Sequence, residues 1–193
     1  MIGRQILHYV RVIIGVDFPE TQTTEMERQM LSKFLQGRKC IIEIGVFEGF
    51  TTRWLSFKAD PDAIVYGIDP FFKGRLGISW GEKIAIRYNR KALKEKKVIF
   101  IERFSPDLAD DLPRTVDYIF IDADHSLAGI MRDWIFWSDI LTPGGIIALH
   151  DTLIAPNSPN ELGSHRYFRS NIQHDSRFKI VGQQDSLSVL KKL

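Results

Sequence analysis

The sequence predicts an α/β fold built on a mostly parallel sheet, and three observations carry that prediction. Residues 116–152, VDYIFIDADHSLAGIMRDWIFWSDILTPGGIIALHDT, read as strand, helix and strand. VDYIFI is a β-branched and aromatic run, SLAGIMRDWIFWSDIL has helical apolar spacing, and GGIIAL is a second apolar run after a Pro-Gly-Gly stop. The same order recurs upstream, where CIIEIGVFEG runs as a strand into a glycine turn, TTRWLSFKA reads as a short helix and AIVYGIDP as the next strand. Polar residues also collect just past the strand ends. Parallel strands joined by one crossover helix finish on the same edge, which puts Asp122, Asp124 and His125 opposite His150 and Asp151. Ligands of open α/β sheets bind outside that edge.

Along the chain, residues 1–38 are expected to form a helical segment and residues 39–193 the α/β domain. A first helix is expected within residues 1–16, where Ile2, Ile6, Leu7, Val10, Ile13 and Ile14 make one apolar stripe. Such a stripe needs cover, so the segment is expected to serve as a cap, a lid or the contact of a homodimer. His8, Tyr9 and Arg11 interrupt the run and no small-residue cleavage site follows, which argues against a signal peptide. No apolar run is long enough to form a transmembrane segment. A second helix, residues 24–36, follows Asp17-Phe18-Pro19 and stops at Gly37, with Met26, Met30, Leu31, Phe34 and Leu35 as its buried stripe. At 193 residues one domain is expected, 44% hydrophobic residues suffice for its core, and 26% charged residues give no sign of disorder. The single Cys40 has no disulfide partner, so a reducing, cytoplasmic setting is expected, with Cys40 filling space in the first strand.

The turn after the first strand narrows the ligand. From Gly49 to Asp69 is 20 residues, the separation between a nucleotide-binding glycine turn and the acid that takes two ribose hydroxyls. Close approach of a pyrophosphate needs G-x-G-x-x-G. Here Val46, Phe47 and Glu48 stand between Gly45 and Gly49, and their side chains would obstruct the phosphates. Glu43, at the start of the turn, would repel a pyrophosphate but suits a cationic amino group. A ligand with adenine and ribose but no phosphate, such as S-adenosylmethionine (SAM), fits better than a dinucleotide.

The middle of the chain is basic, with ten Lys/Arg against three acids between Lys73 and Arg103. This asymmetry would attract a polyanion, but no aromatic residues alternate with the cations for base stacking, so nucleic acid is not the expected partner. A solvated helix face is the plainer account. Ser79 and Glu82 have capping-box spacing for a helix that starts at SWGE. The DPF at Asp69 is not the D-P-P-Y of exocyclic-amine methylation, because it follows the second strand rather than standing where IDADH stands.

Together these motifs resemble the class I SAM-dependent methyltransferases, a Rossmann-like fold, and within them the catechol and caffeoyl-CoA O-methyltransferases and their small-molecule relatives. EIGVFEG is similar to the first motif of that family, YGIDP to the second, FIDADH to the metal and methyl-transfer motif, and LTPGGIIALHD to the strand that follows it. The resemblance spans roughly residues 24–193. It implies Asp69 on the ribose and Asp122 near the methionyl end of SAM and on a divalent metal, with Mg²⁺ the first choice. His125 stands at the family's catalytic lysine position, and His150 and Asp151 at its Asp-Asn metal pair, so two key positions differ from the pattern. Ser105 in FIERFSPDL corresponds to a serine near the adenine, and KIVG and SLSVL to a closing antiparallel pair of strands.

The chemistry so implied is metal-assisted methylation of a small-molecule hydroxyl, with His125 as base. Two other readings stay open: methylation of RNA or another polyanion through the basic segment, and a SAM-binding protein that no longer methylates. Asp122 is better read as functional than as a helix cap, because Ser126 stands closer to the helix start. Asp124 is a further metal candidate. His8, His165 and His174 are expected at the surface or in loops. The loop of residues 152–168 is expected to be a flap over the substrate that carries Arg166 and Tyr167 into the site.

Overall fold

The computed structural model describes residues 2–105, 112–113, 115–154 and 160–193, with the backbone alone for Ile2. Seven strands form one sheet: β1 (Cys40–Ile44), β2 (Ile64–Asp69), β3 (Val98–Glu102), β4 (Val116–Ile121), β5 (Leu141–Leu149), β6 (Phe178–Gln184) and β7 (Leu187–Lys192). Their order is β3-β2-β1-β4-β5-β7-β6. The first five run parallel, while β7 pairs antiparallel with both β5 and β6. The chain order reverses between β1 and β4, the crevice where ligands of doubly wound sheets bind.

Among the described residues, seven α-helices accompany the sheet: α1 (Ile2–Ile13), α2 (Glu25–Ser32), α3 (Phe50–Lys58), α4 (Trp80–Tyr88), α5 (Arg90–Lys94), α6 (Leu127–Ile140) and α7 (Gly163–Ser170). Strand alternation sorts the core into two layers. Ile42 and Ile44 of β1 join Ile119, Trp134, Trp137 and Phe168 on the face covered by α6 and α7. On the other face, Ile41 joins Leu31, Leu35, Leu55, Tyr118 and Phe120 under α2 and α3. Tyr118 is fully buried and its hydroxyl donates to the Leu31 carbonyl at 3.1 Å, so the phenol carries no unpaired donor into the core.

Several boundaries differ from expectation for local reasons. β5 begins at Leu141 and runs through Thr-Pro-Gly-Gly, with a register shift against β4 at Val116 and Tyr118. Helix α2 ends at Ser32, because the next turn tightens into i to i−3 bonds from Phe34 to Leu31 and from Leu35 to Ser32. Met26 of its expected stripe is exposed, and Glu27 is buried in its stead. Leu7 and Val10 of α1 and Ile14 just after it remain exposed, although Tyr9 packs on Trp80 of α4 with ring centroids 5.0 Å apart. The cations of the basic segment stand in solvent as expected, except for Lys97, which is half-buried. No helix among the described residues is long and apolar enough to cross a membrane.

Candidate active site

Register brings the site together at one sheet edge. Beyond each strand end the first residue continues the ladder: Gly45 N–H donates to the Ile68 carbonyl, Asp122 to Ile44 and His150 to Ile121, at 2.9, 2.8 and 3.0 Å. Gly45, Asp69, Asp122 and His150 therefore stand side by side at the carboxyl ends of β1, β2, β4 and β5. A cleft of about 780 Å³ opens above them, and Gly45, Phe47, Asp69, Ser105, Asp122 and His125 are among the residues that line it.

The turn is held at close quarters. Gly45 has φ +89°, and a Cβ there would lie 1.9 Å from the Asp122 carbonyl oxygen, so only glycine lets β1 and β4 approach this closely. Gly49 has φ +75° at the head of α3, and its carbonyl accepts from Asn89 Nδ2 at 2.9 Å. Asp69 fixes the turn from the neighbouring strand. One carboxylate oxygen accepts from the backbone N–H of Val46 and Phe47 at 2.9 and 3.1 Å, and the other from Phe71 at 2.7 Å. Asp69 is thus a staple as well as a cleft residue.

Glu43 requires a correction, because it is not among the residues that line the cleft. Alternation along β1 places it on the Ile41 face, fully buried beneath α3, where it accepts from the Thr52 hydroxyl. Its other oxygen has no hydrogen-bond partner among the described residues. Burial pushes the carboxyl up to about 8 against the opposing Thr52 bond, with Asp122 and Asp69 adding to the rise. An enclosed acid with no face on the cleft has little hold on a ligand's ammonium group.

At the β4 and β5 ends, two histidines meet three carboxylates. His150 is 5% exposed; its Nδ1 lies 3.1 Å from Asp122 and 3.6 Å from Asp151, and its Nε2 lies 3.3 Å from Glu27. Burial disfavours the charged imidazole, yet the carboxylates of Asp122, Asp151 and Glu27 outweigh it and hold His150 well above the usual histidine range. His125 faces the cleft, with Nε2 3.8 Å from Asp122 and 3.6 Å from Asp151. Asp151 takes φ +50°, which turns the chain sharply out of β5. Its carboxyl is held low first by the His150 hydrogen bond.

This cluster fits a divalent ion poorly. Asp122 Oδ1 and His150 Nδ1 are buried without an aligned hydrogen bond, but they are only two atoms, and no three His, Cys, Asp or Glu residues among those described form a metal-holding group. The three carboxylates also favour the protonated imidazole of His150, the form without a lone pair for a metal. Asp124 is engaged elsewhere, accepting from Ser126 N–H at 2.9 Å.

Three residues at the site or directly behind it escaped the sequence reading. Glu27 accepts from the backbone N–H of Thr24 and Ser186, the Ser186 hydroxyl and His150. Its only local signal was the Thr24–Glu27 capping box. Asp133 of α6 lines the cleft and is 1% exposed, and its trace in the sequence was an acid on the Ile130, Trp134, Trp137 face. Thr52 had no signal at all. Ser105 is present at the cleft, but its hydroxyl is already engaged: it accepts from Trp137 Nε1 at 2.6 Å and hydrogen-bonds Asp133. His165 is buried rather than at the surface, with Nδ1 accepting from Leu162 N–H at 3.0 Å. His8 is partly buried against Glu48 at 3.0 Å. Of the expected flap, residues 155–159 lie outside the described residues; Tyr167 packs on the core, and neither it nor Arg166 is among the cleft residues.

A doubly wound sheet in the order β3-β2-β1-β4-β5-β7-β6, with a glycine turn after β1 and an acid at the end of β2, defines a class I SAM-dependent methyltransferase. The chain belongs to the family described as "methyltransferase domain", whose model matches residues 42–152. Solved structures with the same fold include an O-methyltransferase from Bacillus cereus in complex with SAH (TM-score 0.70, 18% identity, 98% of this chain and 91% of that one). Another is the O-methyltransferase TomG from Streptomyces achromogenes, involved in tomaymycin synthesis, in complex with SAM (TM-score 0.68, 17% identity, 97% and 89%). An rRNA methylase from Streptococcus thermophilus is also similar (TM-score 0.62, 14% identity, 90% and 99%). No curated protein matches the chain significantly.

Proposed function

We propose that this protein transfers the methyl group of SAM to an oxygen of a small-molecule acceptor, with His125 as the base. The observation that carries this reading is the setting of His125, a cleft imidazole whose Nε2 lies 3.6 and 3.8 Å from two carboxylates, Asp151 and Asp122. A proton arriving there is met by negative charge. SAM fits the donor role because Asp69 retains acceptor capacity for ribose hydroxyls beside its backbone bonds, and Asp122 and Asp151 suit a cationic sulfonium and ammonium. The similar structures from Bacillus cereus and Streptomyces achromogenes, with SAH and SAM, support the same donor.

A sulfonium makes its methyl group reactive by itself, so the protein's part is to align nucleophile, carbon and sulfur and to take up one proton. The acceptor oxygen bonds to the methyl carbon, the carbon–sulfur bond breaks with its electron pair left on sulfur, and the hydroxyl proton passes to His125 Nε2. No divalent ion enters this step, because the donor set does not provide for one. Residues 1–38 act as a cap, since Gln5, Glu20, Thr21 and Gln22 join the cleft lining. The exposed Leu7 and Val10 of α1, with Ile14 just after it, are the surface on which a second copy would sit, and mass in solution tests that. The buried, unpaired Cys40 suits the cytoplasm.

The test is transfer of label from methyl-labelled SAM to a panel of phenols, sugar hydroxyls and carboxylates. His125→Ala is expected to lower turnover by about 10²–10⁴-fold while SAH still binds. Lys73 and Arg103 at the cleft support the polyanion alternative. Methylation of RNA with steep salt dependence would establish it, because phosphate contacts release counterions. SAH binding without turnover on any acceptor would leave a non-methylating SAM-binding protein.

A further inference from the structure

With the sulfonium at Asp122 and the ribose at Asp69, as proposed above, the order β4, β1, β2, β3 would carry the base of SAM toward the end of β3. At that far end the walls are aromatic. Phe71 is buried, and Phe72 and Phe104 meet edge to face at 5.6 Å. Asp133 of α6, next to Arg132, is the buried carboxylate among the described residues of this cleft. It is 1% exposed, and its Oδ1 has no hydrogen-bond partner among the described residues. Ser105, beside it, is already engaged by Trp137 and Asp133.

A buried acceptor without a donor is costly, and a ligand that brings an N–H to it relieves that cost. The flat apolar walls select an aromatic ring, and the lone acceptor selects a ring with an exocyclic amine. We propose that Asp133 reads the 6-amino group of the cofactor's adenine through Oδ1, with Ser105 and Trp137 holding its carboxylate in place. This inference rests on the cofactor reading above. Discrimination against a 6-oxo purine follows, because two facing oxygens lack a shared proton. Burial raises the Asp133 carboxyl above the ordinary carboxylate range, in keeping with a group enclosed in this wall.

The test is calorimetry with SAH, its analogue carrying hydrogen in place of the 6-amino group, and its 6-oxo analogue. For the wild-type protein, loss of the amine is expected to weaken binding by about 10- to 100-fold. In Asp133→Ala, checked for folding by thermal melting, SAH and the 6-hydrogen analogue are expected within about threefold of each other. Equal binding of these two by the wild type overturns the inference without recourse to any variant. Unchanged discrimination in a folded variant overturns it as well. Wild-type protein that binds none of the three overturns the cofactor reading and this inference with it.

Discussion

Glu27 and His150 are 123 residues apart in sequence and 3.3 Å apart in the fold. Glu27 is also the N3 residue of a capping box, so one carboxylate closes the head of α2, receives the turn between β6 and β7 through Ser186, and orients the imidazole beneath the cleft. Burial opposes its charge, but bonds from His150, Thr24 and Ser186 hold the carboxyl down to about 2.

Removing Glu27 leaves His150 and Ser186 buried without their acceptor. Glu27→Ala is expected to cost about 3 kcal/mol or more, which for a chain of this length lowers Tm by roughly 10 °C. A cycle with His150→Ala should show strong non-additivity. Thermal melts of the two single variants and the double variant check both, and additive losses would show that the contact carries no coupling.

Asp69 has two duties that one substitution pair separates. Asp69→Ala removes the staple of the turn and any ribose contact, and is expected to weaken SAH binding by about 1.5–3 kcal/mol. Asp69→Asn keeps one carbonyl acceptor for the turn, so it should melt closer to wild type while still binding SAH more weakly. Titration calorimetry beside melting curves reads the two effects, and full SAH affinity in both variants would remove Asp69 from the cofactor site.

The pH dependence of stability should carry the mark of Glu43. Its carboxyl is raised to about 8 in the folded state from an ordinary 4.5, so the folded protein holds a proton that the unfolded chain releases between those values. Stability from this group is therefore complete below about 4.5 and lost as pH rises toward 8. Glu43→Gln should flatten the fall in Tm between pH 5 and 8. Because Glu43 lies behind the cleft, the same variant should bind SAH within about threefold of wild type. An affinity loss far beyond that would return Glu43 to the cofactor site.

Excess chelator should leave turnover within about twofold, since His150 is saturated by carboxylates and the remaining donors do not close around an ion. Activity abolished by EDTA and restored by Mg²⁺ or Mn²⁺ would show that an ion displaces the His150 proton, and would reinstate metal assistance.

Strand, turn and crossover signals were legible in the sequence because they are local. Alternation marks a strand wherever it folds, and a glycine beyond a strand end marks a turn. The two strand–helix–strand units therefore put Asp69, Asp122, His125, His150 and Asp151 at one edge before any coordinates. The aromatic wall of Phe71, Phe72 and Phe104 was not legible, since apolar residues read alike whether they line a cleft or fill a core.

By itself the sequence determined the sheet, the edge on which chemistry collects and the family of folds to which the chain belongs, because each depends on spacings within about 40 residues. Only the tertiary structure decided what each polar group does. Glu43 is turned under α3 by strand alternation, Ser105 is taken up by Trp137, and Glu27 arrives at His150 from the first quarter of the chain. Burial and partners at long sequence separation set charge and hydrogen bonding, and neither is written in the local pattern.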